Sequence, residues 1–528
     1  MKKTLWTIAG SDAGGGAGIQ ADIKAMASFG IQGSTVITAL TAQNSSGVAA
    51  INPVSVDTIR SQLAALEADR LPQVIKIGLL TNIEQVECVV AKLKCYKATW
   101  PQAPIVIYDP VAVASTGDSL VEEDILAIVK EQLLPVVDIL TPNTAETQRM
   151  TGVYLISSQA VIDAVEIFKK LGVKNVVIKG GHWDLVEDYC IDFAASFTDD
   201  LSDKQTASDK QYWLGSKNIA TMHSHGTGCS FASAMAACLT LDYPFKDAFI
   251  LAKAYINQGL KATHQNAYGI GSVTHGGFPE TLSDFPEVIE AHSTLGQLLD
   301  LEELEERNTN PVFDSGFAYC QQPLGLYAVV DSLDWLKLCL EQGIKTVQLR
   351  IKNESKNANK SQPSTNISHA IAQAVKLAAQ HQAQLFINDH WQLAIEHGAY
   401  GVHLGQEDLT NADLHAIKSA GLRLGLSTHG FYEMLRAHNY QPSYMAFGAV
   451  YPTQTKDMTG QIQGLEKLKH FVPLMKTYNK VAIGGISVER VDEVLATGID
   501  SIAVVTAITK AEQPVLAINL LLAKLLPQ

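Results

Sequence analysis

Cysteine is sparse and unpaired in this sequence: there are seven, an odd number, and no C-x-x-C pair. That excludes a disulfide framework and a cysteine zinc site, and it fits a reducing, cytoplasmic compartment. Basic residues are outnumbered, with 40 Lys and Arg against 54 Asp and Glu and a formal charge of −14. Such a balance argues against nucleic acid or an anionic membrane as the main partner. A phosphorylated ligand must then be drawn in by local cations and backbone donors. No apolar run approaches the ~18–20 residues of a membrane span. The opening MKKTLWTIAGSD imitates a signal peptide only briefly, because its apolar stretch ends at Asp12, and it reads as a first buried strand. A P-loop, G-x-x-x-x-G-K-S/T, is missing, and the GGGAG of Gly14–Gly18 does not match G-x-G-x-x-G.

What is present is a soluble, globular composition, 47% hydrophobic and 18% charged, over 528 residues. That is too long for one core, since cores stop growing near ~250–300 residues. In the first half, short Val- and Ile-rich runs alternate with helix-length stretches: Leu5–Gly10, Ser34–Leu40, Val74–Leu80, Ile105–Val111, Val137–Asn143 and Asn175–Gly181. Runs apolar on both faces predict a parallel sheet buried between helices. Tyr189 to Asn218 reads as hairpins, and an Ala-rich helix begins near Gly228. The rhythm breaks from Phe278 to Cys320, where DLEELEER (Asp300–Arg307) marks a connector with some helix and a looser tether.

A second rhythm follows, with runs at Leu324–Asp331, Thr346–Ile351, Gln384–Asp389, Gly401–Gln406, Leu422–Thr428, Tyr444–Val450, Val481–Ile486 and Ser501–Thr506. Eight βα units in about two hundred residues predict a compact (β/α)8 TIM barrel. Nearly every run ends in polar residues or glycine, at the strand ends where barrel chemistry is built. The expected division is 1–278, a connector 279–322, and 323–528.

The strongest chemical signal in the first half is HGTGCSFASAMAA, starting at His225. Gly226 and Gly228 bracket Thr227 where a helix starts, leaving backbone N–H groups at the positive end of its dipole to hold the charge on a transferring phosphoryl group. Cys229 falls in the first turn, where the dipole is expected to lower a thiol pKa. AGSDAGGGAGIQADIK, VITALTAQN, KIGLL, TPNTAE, KGGH and HGTGC, in this order, resemble the hydroxymethylpyrimidine/phosphomethylpyrimidine kinases of the ribokinase superfamily. The resemblance covers about residues 4–278 and implies a doubly wound α/β sheet and two successive ATP-dependent phosphorylations. It implies that Gly10, Asp22 and Gln43 contact the pyrimidine and that Gly226, Thr227 and Gly228 form the anion hole. Cys229 would help deprotonate the hydroxyl, Asn143 and Glu146 would position Mg-ATP, and Lys179 would lie near the nucleotide phosphates. Gly14 departs from the common serine of S-G-G-A-G, a change the backbone tolerates.

In the second half, VQLRIK places Gln348, Arg350 and Lys352 on one side of a strand. FINDHW adds Asn388 and Asp389, HLGQEDL adds Asp408, STH adds Ser427, and YPTQTK adds Thr453, Thr455 and Lys456. Ionising a carbon–diphosphate bond needs such metal-binding carboxylates, cations and dry walls. Residues 323–525 resemble thiamine-phosphate synthases, motif by motif. The resemblance implies Mg²⁺ on Asp389 and Asp408, and the diphosphate on Arg350, Lys352, Asn388, Ser427 and Lys456. Gln348 would take the pyrimidine, and Thr453, Thr455, Gly485 and the Val505–Thr506 turn the thiazole phosphate. Thr506 replaces the usual serine, keeping the hydroxyl and adding a methyl. His403 and His429 read as structural or supporting.

The first half's final product would be the second half's first substrate. Three alternatives stand beside this reading: a pyridoxal-type kinase in front, a thiazole tautomerase behind, or one half reduced to a precursor-sensing module. The diphosphate-and-metal set speaks against the tautomerase, and turnover by the isolated halves separates enzyme from sensor. The partners expected are small molecules, and self-association, including a dimer contact through the connector, is left open.

Overall fold

The computed structural model describes residues 3–44, 47–111, 123–181, 183, 185–197, 210–263, 270–301, 315–351, 365–453 and 462–525. They fall into two compact units, Met1–Ala291 with Leu295–Leu304, and Glu305–Gln528 with His292–Thr294. None of the described helices is long and apolar enough to cross a membrane.

The first unit is built on β1 (Thr4–Asp12), β2 (Gln32–Asn44), β3 (Gly47–Pro53), β4 (Val74–Ile77), β5 (Ile105–Tyr108), β6 (Ile139–Leu140), β7 (Asn175–Ile178), β8 (Tyr189–Ser196), β9 (Gln211–Lys217) and β10 (Glu287–Ile289). These join in one sheet of order β10-β9-β8-β7-β6-β5-β4-β1-β2-β3. The centre, β2-β1-β4-β5-β6-β7, is parallel. β3 and the β8–β10 edge run antiparallel. The central strands are the β-branched, doubly buried runs: VIKI of β4 is buried at all four positions. Helices start at side-chain caps, with Ser55, Asn82 and Ser157 each accepting an N–H from the first turn.

The connector differs from its expectation. Glu287–Ile289 is the edge strand β10, paired with β9, and Ile289, Leu295, Leu299 and Leu301 are buried in the core of the first unit. The acid-rich sequence masked an apolar face there. Residues 302–314, the core of the predicted tether, lie outside the described residues.

The second unit is a closed parallel barrel of β11 (Leu326–Val330), β12 (Thr346–Leu349), β13 (Gln384–Asn388), β14 (Gly401–Leu404), β15 (Arg423–Thr428), β16 (Tyr444–Phe447), β17 (Asn479–Ile483) and β18 (Ser501–Val504), as the eight runs predict. Tyr444 packs edge to face with Tyr327 and Phe386 in its interior, and Tyr327 and Phe386 are tilted against each other, with ring centroids 5.0–5.8 Å apart. Gly425 makes room for them, since a Cβ there would lie 2.1 Å from the Tyr444 ring.

Two candidate active sites at strand ends

In the first unit a cavity of about 390 Å³ opens at the carboxyl ends of β1, β4, β5, β6 and β7 and at the start of the helix Thr227–Thr240. Of the residues singled out in the sequence, Gly10, Gln43, Asn143, Glu146, Lys179, Gly226, Thr227, Gly228 and Cys229 all line it. Asp22 does not. It is fully buried beside the cavity, its carboxylate held by Lys76 at 2.8 and 2.9 Å, Thr7 Oγ1 at 2.6 Å and Ser233 Oγ at 2.7 Å. The residue it delivers to the cavity wall is Lys76. Burial opposes the Lys76 charge, yet Asp22 raises its pKa above the usual 10.5.

Cys229 also differs from its expectation. It sits in the first turn as predicted, but burial, joined by the Asp22 and Asp109 charges, outweighs the nearby Lys76 and pushes the thiol up to about 11. The thiol is therefore protonated at neutral pH. Asn143 and Glu146 form a reciprocal capping box, Glu146 N donating to Asn143 Oδ1 at 2.8 Å and Asn143 N to Glu146 Oε2 at 2.7 Å. Lys179 Nζ lies 2.6 Å from Asp109 Oδ1. Asp109 Oδ2 is buried with no hydrogen-bond partner among the described residues, near Gly228, where a Cβ would lie 3.5 Å from it. A carboxylate oxygen left bare at an anion hole suits the divalent cation of a nucleotide.

Four titratable cavity residues escaped the sequence reading: Asp12, Lys76, Asp109 and His225. Asp109 was the most findable, as the first polar residue after β5 in YDP. Asp12 and His225 stood inside quoted motifs but carried no glycine or cysteine signal.

In the second unit a cavity of about 400 Å³ occupies the carboxyl end of the barrel. Gln348, Arg350, Asn388, Asp389, Asp408, Ser427, Thr453, Gly485, Val505 and Thr506 line it together. Lys352, Thr455 and Lys456 lie outside the described residues. Asp389 adopts a left-handed φ of 61°, a conformation that aspartate tolerates better than most non-glycine residues. Its carboxyl shares a hydrogen bond with Asp408. Burial first, then the neighbouring Asp389 charge, raises Asp408 to about 6, and burial raises Asp389 against the pull of Arg350. Among the described residues no group of three or more His, Cys, Asp or Glu is disposed around a metal position. The carboxylate pair still fits Mg²⁺, which keeps several waters and needs one or two protein carboxylates.

His403 and His429 also line this cavity. Both His403 nitrogens are engaged, Nδ1 with Tyr444 Oη at 2.7 Å and Nε2 with Ser427 Oγ at 2.8 Å. Tyr444 Oη meets Tyr327 Oη at 2.8 Å, and Gln348 Nε2 donates to Tyr327 Oη at 3.3 Å. One buried chain thus joins Ser427 to Gln348 beneath the cavity floor. His429 Nδ1 lies 2.7 Å from Glu433 Oε2.

Fold and cavities together define a class: a two-domain α/β protein with one cavity at the strand ends of an open sheet and another in the mouth of a parallel barrel. A family model described as thiamine monophosphate synthase matches residues 326–508, and one described as phosphomethylpyrimidine kinase matches residues 12–274. The thiamine-phosphate synthase of Photorhabdus laumondii is 52% identical over 203 residues, 38% of this chain and 90% of that protein. The chain belongs to the thiamine-phosphate synthase family through its barrel and carries a phosphomethylpyrimidine kinase domain in front of it. Among solved structures, phosphomethylpyrimidine kinase from Clostridium difficile 630 is 32% identical, covering 49% of this chain and 99% of that one, with a TM-score of 0.41. An ADP complex of Bacillus subtilis pyridoxal kinase is 29% identical, covering 52% and 98%, with a TM-score of 0.45.

Proposed function

We propose that the chain makes thiamine phosphate in three steps at two sites. The first unit phosphorylates 4-amino-5-hydroxymethyl-2-methylpyrimidine with ATP, then phosphorylates the monophosphate to the diphosphate. The barrel joins that diphosphate to hydroxyethylthiazole phosphate, releasing pyrophosphate. The family matches support the reactions, and the gathering of ten motif residues around the barrel cavity is the observation that carries the reading.

In the kinase cavity, the N–H groups at Gly226–Gly228 take up the charge of the phosphoryl group in flight, at the positive end of a 14-residue helix. Lys179 faces the nucleotide phosphates, and Gly10 and Gln43 face the pyrimidine. Cys229, its thiol raised by burial and lining the cavity, hydrogen-bonds the substrate hydroxyl in this reading rather than standing as a thiolate base. Phosphoryl transfer through a loose transition state asks more of positioning than of proton removal. Asn143, Glu146 and Asp109 would hold Mg-ATP.

In the barrel, Asp389 and Asp408 would hold Mg²⁺, which supplies neutralisation of the departing diphosphate. Arg350, Asn388 and Ser427 bind its oxygens, with Lys352 and Lys456 as further cations. Gln348, backed by Tyr327, orients the pyrimidine so that positive charge at its methylene faces the thiazole nitrogen. Thr453, Gly485, Val505 and Thr506, with Thr455, receive the thiazole phosphate. The barrel wall of Val329, Ile483, Ile486 and Ala503 excludes water from the cation. The small substrates and the seven free cysteines support a cytoplasmic setting.

The test is one reaction tube holding the full chain, hydroxymethylpyrimidine, Mg-ATP and hydroxyethylthiazole phosphate, with thiamine phosphate read as fluorescent thiochrome. Product formation is expected. No product, but recovery on adding the pyrimidine diphosphate, would remove the kinase reading. Failure with the diphosphate as well would remove the synthase reading.

A further inference from the structure

We propose that Asp12 and His225 are positioning residues for phosphoryl transfer, clamping the glycine-rich loop of 14–18 against the anion hole. The proposal rests on the kinase reading of the first unit.

Asp12 ends β1 and is 3% exposed. Its Oδ1 accepts the Gly14 N–H at 2.8 Å, and its Oδ2 accepts those of Gly16 at 2.9 Å and Ala17 at 2.8 Å. The same Oδ2 lies 3.1 Å from His225 Nε2, which comes from a segment 213 residues further along the chain. One carboxylate therefore fixes a loop that glycine makes soft and ties it to the residue preceding Gly226. Ionic acceptors make such bonds about twice as strong as neutral ones.

His225 cannot drift, because its backbone is pinned on both sides. Its N–H donates to Gly271 O at 3.2 Å, and its carbonyl accepts from Val273 N at 3.1 Å. Nor is there slack between the two loops. A Cβ on Gly226, whose φ is 79°, would stand 1.8 Å from Gly16 O, and a Cβ on Gly16 would stand 2.4 Å from the His225 ring. The loops touch backbone to backbone, and both clamp residues face the cavity. Loosening the clamp shifts the Gly226–Gly228 donors relative to the phosphoryl group. A misplacement of about 1 Å can cost about 100-fold in rate. The His225 bond helps hold the Asp12 carboxyl down to about 2 against its burial, so the clamp is ionised throughout the neutral range.

The experiment compares Asp12→Asn, His225→Leu, His225→Gln and the Asp12→Asn/His225→Leu double variant, all as the full chain. Steady-state ADP release is followed with hydroxymethylpyrimidine, and synthase activity is followed with supplied pyrimidine diphosphate. Asp12→Asn and His225→Leu are expected to lower kinase kcat about 10- to 100-fold, with KM for the pyrimidine within about threefold and synthase turnover unaltered. The double variant should be no worse than the poorer single one, since both remove one clamp. His225→Gln, which can still donate to Asp12, should regain part of kcat, a recovery that a purely packing role would not produce. All rates are taken well below each variant's melting temperature. A kcat within about twofold of the unaltered chain, losses that multiply in the double variant, or loss confined to KM would each overturn the proposal. If the unaltered chain itself fails to phosphorylate the pyrimidine, the kinase reading falls first, a separate outcome.

Discussion

The ion pair beneath the kinase cavity gives a prediction whose size follows from its surroundings. Lys76 and Asp22 are both 0% exposed, and Lys76 Nζ contacts both oxygens of Asp22. Replacing Lys76 by Met keeps most of the stem but strips the carboxylate of its only cationic partner among the described contacts, leaving Thr7 and Ser233 as neutral donors. Breaking a buried pair from one side costs about 3–5 kcal/mol. Over a domain of this size that corresponds to a fall in melting temperature of roughly 6–20 °C. Scanning calorimetry of the full chain at pH 7.5 should show the first unit's transition lowered by that amount and the barrel's unmoved. A second change, Asp22→Leu in the Lys76→Met background, should recover most of the loss, because an apolar pair of similar volume removes the stranded charge. The pH dependence has a definite sign. The folded pKa of Lys76 is raised above 10.5, so its contribution is whole below that value and fades as the pH climbs beyond it. A loss smaller than about 1 kcal/mol, or a double variant no better than Lys76→Met, would refute the reasoning.

Gly226→Ala should reduce ADP release by at least about 100-fold while leaving synthase turnover intact, since its Cβ would stand 1.8 Å from Gly16 O. Asp408, raised to about 6 from 3.8, binds its proton more tightly folded than unfolded, so the metal-free barrel should gain stability as the pH falls through 6 toward 3.8. Mg²⁺ competes with that proton, so melting curves should show Mg²⁺ protection near pH 8 that shrinks by pH 5 and is lost in Asp408→Asn. Tyr444→Phe removes the hydroxyl shared by His403 and Tyr327 and should cost the barrel about 1–3 kcal/mol in urea unfolding, with a matching fall in synthase kcat/KM.

Both folds were legible because their strands are short, apolar and evenly spaced, and because polar residues cluster at strand ends. The barrel site was read most fully for the same reason: Gln348, Arg350, Asn388, Asp389 and Ser427 stand at or just beyond the ends of β12, β13 and β15, so sequence order maps onto the rim. The kinase site was read less fully because it is made by long-range pairing. Nothing local says that Asp22 turns inward to Lys76, which is 54 positions away, or that Asp12 reaches His225. Cys229 shows the limit of a local rule. Its place at a helix start was legible, whereas the burial that reverses its pKa belongs to the tertiary structure. The β10 edge was hidden likewise, since three residues of strand in an acid-rich segment carry little periodicity.

The central claim is that two separate active sites act in sequence through a released pyrimidine diphosphate. Its most direct test mixes two full-length variants, Lys179→Met, impaired in the kinase cavity, and Asp389→Ala, impaired in the barrel. Supplied with hydroxymethylpyrimidine, Mg-ATP and hydroxyethylthiazole phosphate, neither alone should form thiamine phosphate, and the equimolar mixture should. A mixture that stays inactive while each variant retains its other activity would contradict the claim.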